Sequence, residues 1–190
     1  MTSGHSLLLE QYLAKLTEAA KLGPIIDLAC GNGRNGLYLL ASGIPVIFAD
    51  LNCSALDQIQ QALTTATYKG KKELAECWLT DFEGPQPSPL ADKQAGGIVI
   101  FRYLHRPLME SIKKAVLPGG IVIYETFTVD QPRYGHPNNP AFLLRHNELD
   151  EYFADWDILH CFEGVTNPGK AGAPQAIAQI VAIKPALNLG

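Results

Sequence analysis

Apolar residues in this chain recur in two rhythms. Leu8, Leu9, Tyr12, Leu13, Leu16 and Ala20 return at helical spacing, which predicts an amphipathic helix over 5–22 that Gly23-Pro24 stops. Short continuous apolar runs follow: "PIIDLAC" (24–30), "PVIFAD" (45–50), "GIVIFRYLH" (97–105) and "IVIYETF" (121–127). Runs of that length read as buried strands. "AECWLTDFE" (75–83) is less apolar and predicts an edge strand. Helices are predicted between the strands: 34–43, 54–67 with Ser54 as N-cap and Asp57 three residues on, and 106–120 with Pro107 in its first turn. A short helix over 147–155 opens on Asn147 as its N-cap. "WDILHCFEG" (156–164) and "AIAQIVAIKP" (176–185) are the last strands, and the connection between them has no helix, so they should pair antiparallel. Strands alternate with helices through the first five strands, which predicts an α/β fold. Its sheet should be open and mainly parallel, covered by helices on both faces, with an antiparallel hairpin at one edge. No repeat or linker interrupts residues 1–190, which read as a single domain.

Composition narrows the function classes. The 190 residues are 47% apolar and 18% charged, with a formal net charge of -4. That balance suits a soluble globular protein and argues against broad nucleic-acid binding, which calls for a basic face. No segment approaches a membrane span, and the first 23 residues lack a basic leader pattern, so a cytoplasmic location with no membrane partner is expected. Cys30, Cys53, Cys77 and Cys161 are scattered without a CxxC pair. They are expected to be buried free thiols, and no metal site is expected.

The chemistry centres on "DLACGNGRNG" (27–36). Gly31, Gly33 and Gly36 have the spacing G-x-G-x-x-G after a strand, and Asp50 ends the next strand about 20 residues on. Both features serve any adenosine-bearing ligand on such a sheet, NAD included. Asp27 shifts the balance. A pyrophosphate wants a helix N-terminus free of negative charge, whereas a carboxylate there suits a ligand with an ammonium group and a sulfonium. The alternative role for Asp27 is to stabilise the turn by accepting backbone N–H groups. Asp81 and Phe82, closing the third strand, suit an adenine amino group and ring face. No second domain is evident to hold a hydride acceptor.

The stretch "IIDLACGNGRNGLYLLASGIPVIFADLN" resembles the first motif of class I S-adenosyl-L-methionine (SAM)-dependent methyltransferases, and "GNGRN" is similar to the tellurite-resistance methyltransferase group. "PGGIVIYETF" resembles the family's fifth-strand motif. The resemblance implies a Rossmann-like methyltransferase fold with strand order 3-2-1-4-5-7-6 and SAM as cofactor. It implies that Asp27, Ala29, Gly31 and Gly33 line the methionine part. Asp50 would hold the ribose with Leu51 beside the adenine, which Asp81 and Phe82 address. Phe101 and Arg102 would border the methyl group. Arg34 either reaches the cofactor carboxylate or is solvated. Ala29 departs from the family's usual glycine.

The acceptor side should lie at the carboxyl ends of the strands. "FRYLHRPL" (101–108) brings Tyr103 and Arg106, and segment 127–146 brings Arg133, Tyr134, His136 and Arg145. A loop this long is usually functional, and its aromatics and prolines predict an ordered lid. These residues suggest a pocket for a small polar or anionic acceptor, since arginine forks suit oxyanions. The alternative is that the arginines pair with Glu125, Asp130, Glu148 or Glu151 and hold the loop. His105 and Glu125 are candidate catalytic bases, each just past a central strand. Two further readings stay open: a SAM-binding module without catalysis, and an NAD-linked oxidoreductase.

Overall fold

The computed structural model describes residues 4–84, 88–166 and 173–186. Seven strands form one sheet: β1 (Ile25–Leu28), β2 (Val46–Asp50), β3 (Ala75–Leu79), β4 (Ala95–Phe101), β5 (Val116–Phe127), β6 (Asp157–Thr166) and β7 (Gln175–Ile183). Their order is β3-β2-β1-β4-β5-β7-β6, with β3 at one edge as its mixed composition predicted. β1 to β5 run parallel, and β7 pairs antiparallel with both β5 and β6.

Alternation along the strands builds two cores. Ile26, Leu28, Ile98, Ile100, Val122 and Tyr124 face one side. There they meet α5 (Met109–Ala115) and α6 (Glu148–Tyr152). Ile25, Val46, Phe48, Val99 and Ile123 face the other. There they meet α1 (Leu7–Gln11), α2 (Leu13–Ala19), α3 (Arg34–Ala41) and α4 (Cys53–Ala62). Because successive side chains of a strand point to opposite faces, a fully apolar strand feeds both cores.

Five local expectations are corrected. The N-terminal helix is two short helices, broken at Tyr12, whose hydroxyl donates to the Leu159 carbonyl on β6 at 3.3 Å. α4 is capped by Asn52, whose Oδ1 accepts from the Ala55 N–H, so the cap lies two residues before Ser54. The helix expected from 106 to a stop at Pro118-Gly119-Gly120 ends already at Ala115. Val116 is already extended, and the Gly119 N–H donates to the Lys184 carbonyl, so this stretch joins β5 instead. Asn147 precedes α6 in a left-handed conformation, with no side-chain cap. The cysteines are free, but Cys53 and Cys161 are exposed, because each falls on an outward position of its element.

Candidate active site

The site is built where β1 runs into α3. Ala29, Gly31 and Gly33 all take the left-handed conformation, with φ of 52°, 53° and 72°. This curls the backbone under the sheet's carboxyl edge. Gly36 serves a different need: a Cβ there would lie 2.4 Å from the Phe48 ring and 2.8 Å from Asp27 Oδ2. That closeness lets the Gly36 N–H donate to Asp27 at 2.8 Å, so the carboxylate stabilises the first turn of α3. Asp27 is 2% exposed. Burial pushes its pKa up to about 7, against the opposing pull of the Gly36 N–H and the Arg34 charge.

Asp50, at the end of β2, locks the loop from the far side. Its Oδ2 accepts from the Gly31 N–H at 2.7 Å and its Oδ1 from the Asn52 N–H at 2.8 Å. Beside it lies a cavity of about 440 Å³, lined by Ala29, Asp50, Leu51, Thr80, Asp81 and Phe82. Phe82 is buried and meets Trp78 edge-on at 5.7 Å, while Asp81 is exposed and accepts from the Glu83 N–H. A second cavity, about 280 Å³, shares Ala29 and runs to Asp27, Gly31, Arg34, Phe101 and Arg102. Gly33 lies buried beneath this loop. Arg34 Nη1 donates to the Gly4 carbonyl at 2.7 Å, and Asn35 Oδ1 accepts from the Ser6 N–H. The N-terminal residues are thereby tied to the start of α3.

Arg102 leaves β4 with φ of 61°, a strained value for a long side chain. Its Nη2 donates to Gln175 Oε1 at 2.8 Å and lies 3.0 Å from Glu125 Oε1, while the guanidinium stacks over the Phe127 ring. Glu125 is buried, and its other oxygen accepts from Gln179 Nε2. Burial draws the Arg102 pKa down, and Glu125 opposes this. Among the described residues, Arg102 Nη1 is the one buried side-chain nitrogen or oxygen without a hydrogen-bond partner.

A third cavity, about 380 Å³, opens beside Arg102 and is lined by Tyr103, Leu104, Phe127, Pro137, Phe142 and Glu83. Burial raises the Tyr103 pKa, and neighbouring carboxylates add to the effect. Segment 128–146 walls this space and is ordered. Thr128 bridges Leu144, Gln131 donates to the His136 carbonyl and accepts from the Ala176 N–H, and Arg106 donates to the carbonyls of Ala141 and Leu143.

The predicted acceptor residues are therefore divided. Tyr103 and Arg102 reach the cavity. Arg106 forms a fork with the buried Glu148, at 2.6 and 2.9 Å. Arg133 pairs with Asp130, and Arg145 with Glu148 and Glu151. These three arginines hold the segment, the alternative their neighbouring carboxylates allowed. Tyr134 and His136 are exposed on it. His105 is half-buried before a 3₁₀ turn and lines none of the three cavities. Gln175, Gln179, Phe127 and Phe142 were not singled out in advance. The one signal for Gln179 was a polar residue inside an otherwise apolar strand run.

The family model described as tellurite resistance protein TehB matches residues 1–176. The chain belongs to that family. A relative named probable S-adenosyl-L-methionine-dependent methyltransferase TehB, from Haemophilus influenzae, is 29% identical over 148 residues, covering 74% of this chain and 48% of the relative. The chain thus spans about half the length of the curated relatives it matches. Among solved structures, TehB from Haemophilus influenzae superposes with a TM-score of 0.67 at 24% identity, over 93% of this chain and 65% of that one. The glycopeptide N-methyltransferase MtfA complexed with SAM gives 0.65 at 15% identity, over 97% and 88%. A SAM-dependent methyltransferase from Methanosarcina mazei gives 0.69 at 14% identity, over 97% and 100%. These likenesses establish the Rossmann-like methyltransferase fold.

Proposed function

We propose that the chain is a SAM-dependent methyltransferase that moves a methyl group to a small-molecule acceptor by in-line displacement. The observation that carries this reading is a run of cavities along the carboxyl edge of the sheet, in a chain of the TehB family. The residues present fit the cofactor. Asp27 offers a buried carboxylate to the ammonium, and Asp50 keeps spare lone pairs for the ribose diol. Thr80, Asp81 and Phe82 surround the adenine space beside Leu51, and Phe101 and Arg102 close the methyl end. Bound SAM supplies an electrophilic methyl group on a sulfonium. The chain's own task is to hold the acceptor in line and exclude water. Segment 127–146 serves as the lid that does so. Glu125 is held between Arg102 and Gln179, so its role is to position Arg102 more than to take a proton. His105 stands back from the cavities and would need to turn to act as a base.

Calorimetry tests the cofactor. S-adenosylhomocysteine should bind at least about a hundredfold more tightly than NADH. No binding of S-adenosylhomocysteine at roughly millimolar concentration rejects the reading. Cofactor binding with no turnover across thiols, phenols, amines, carboxylates and metalloid oxyanions would instead favour a SAM-binding module.

A further inference from the structure

The cavity beside Arg102 is walled by ring and alkyl surface from Leu104, Phe127, Pro137, Phe142 and Tyr103. Tyr103 is kept an uncharged phenol, since burial raises its pKa and neighbouring carboxylates add to the rise. Two charged residues complete the lining, Arg102 and Glu83. Arg102 is matched by Glu125 at 3.0 Å, and its guanidinium lies over the Phe127 ring. Glu83 is exposed, so water solvates its carboxylate. The other arginines of this region are taken: Arg106 by Glu148, Arg133 by Asp130, Arg145 by Glu148 and Glu151. Among the described residues, the cavity is therefore lined by no buried charge that lacks a counter-charge.

The geometry points to an uncharged acceptor with an apolar, ring-sized body, bound in the cavity walled by Leu104, Tyr103, Pro137 and Phe142. This deepens the methyltransferase reading and rests on it, because the cavity adjoins both neighbouring cavities read as the cofactor site. It shares Tyr103 with one and Arg102 with the other. Three physical arguments support the assignment. An ion of either sign sheds its hydration on entry, and no unmatched buried charge is there to replace it. An apolar body, in contrast, gains by covering these same walls. The cavity, about 380 Å³, has the size of a small-ligand pocket, whereas a four-atom oxyanion leaves most of its walls uncovered. The anionic acceptor suggested by the arginines in sequence thus gives way, because those charges are spent on carboxylates of the chain itself.

The test is calorimetry on the full chain loaded with S-adenosylhomocysteine. The probes are the neutral 2-naphthalenemethanol, the anionic 2-naphthoate, the cationic 2-naphthylmethylammonium, benzyl alcohol and tellurite. Naphthalenemethanol should bind about tenfold more tightly than either charged naphthalene or tellurite. Benzyl alcohol, one ring smaller, should bind about tenfold more weakly than naphthalenemethanol. Phe142→Ala should weaken naphthalenemethanol about fivefold, and Phe142 is half-exposed, so the fold survives its loss. Any of the three ions binding as tightly as naphthalenemethanol overturns the inference, as does an unchanged naphthalenemethanol affinity in Phe142→Ala. The first titration, with S-adenosylhomocysteine alone, separates the two readings. Its failure strikes the cofactor assignment, and its success with failure of the naphthalenemethanol arm strikes only the acceptor class.

Discussion

Asp27 is a scaffold residue and, on the proposed reading, a ligand group as well. One oxygen accepts the Gly36 N–H that starts α3, and the carboxyl lies buried with its pKa pushed up to about 7. The raised value sets two opposite pH responses. Unfolded, the group ionises in the ordinary carboxylate range; folded, it keeps its proton to near neutrality. The apo-protein therefore binds more protons than the unfolded chain in between, and stability falls as pH rises through that window. Cofactor binding runs the other way on the proposed reading, because an ammonium favours the ionised carboxylate. Affinity for S-adenosylhomocysteine should rise between pH 6 and 8, with proton release visible as a buffer-dependent heat in calorimetry. Asp27→Asn should flatten that rise and weaken binding about tenfold or more. A pH-independent affinity in the parent protein contradicts the role.

At the scale of elements, two connections position the site. The β1–α3 turn is fixed by backbone conformation, whereas segment 128–146 is held by a backbone bridge, by Gln131 and, at its far end, by charge. Glu148 is 1% exposed and accepts from Arg106 twice and from the Arg145 N–H. Burial raises its pKa, but the Arg106 hydrogen bond, the Arg145 N–H and the charges of both arginines together outweigh burial and hold it below the usual range. Its stabilisation is thus present at neutral pH and is lost as pH falls through the acid range. Breaking a fully buried pair costs about 3–5 kcal/mol; Arg106 keeps some solvent and two carbonyls, so Glu148→Gln should cost about 2–3 kcal/mol. That corresponds to a Tm lower by roughly 5–10 °C, and proteolysis should begin within 137–146. Cleavage that begins elsewhere shows that the fork does not hold this segment.

Across the molecule, the N-terminal helices are tied to the edge hairpin of the sheet. Tyr12 bonds to β6, and the Arg102–Glu125–Gln179 chain links β4, β5 and β7. Glu125 and Gln179 are direct partners in the β5–β7 register, so their side chains share a face. A cofactor bound across β1, β2 and β4 bears on elements from both cores, and its binding energy should appear as global stability. At roughly a hundredfold excess over its Kd, S-adenosylhomocysteine should stabilise the fold by about 2.7 kcal/mol. For 190 residues that is a Tm rise of roughly 5–10 °C by calorimetric scan. Binding without a Tm rise contradicts the assignment to the folded sheet edge.

The apolar runs and their spacing determined the elements by themselves, and with them the mainly parallel sheet and its antiparallel edge. Fully apolar strands demand cover on both faces, and a helix-free connection permits little but a hairpin. The glycines and Asp27 marked the β1–α3 turn for the same reason: backbone in a left-handed turn and a carboxylate in a buried strand are rare enough to be read locally. Boundaries were less legible. The break at Tyr12 and the early end of α5 depend on contacts with β6 and with Lys184. The charge pairing beside the third cavity was decided by packing. Arg102, Arg106, Arg133 and Arg145 are alike in sequence; all four pair with a carboxylate, and only packing shows that Arg102, among the described residues, also keeps a buried N–H without a partner. Pairing between charges distant in the chain, as in Arg106 with Glu148 and Arg102 with Glu125, is a matter of three-dimensional distance, which periodicity does not encode.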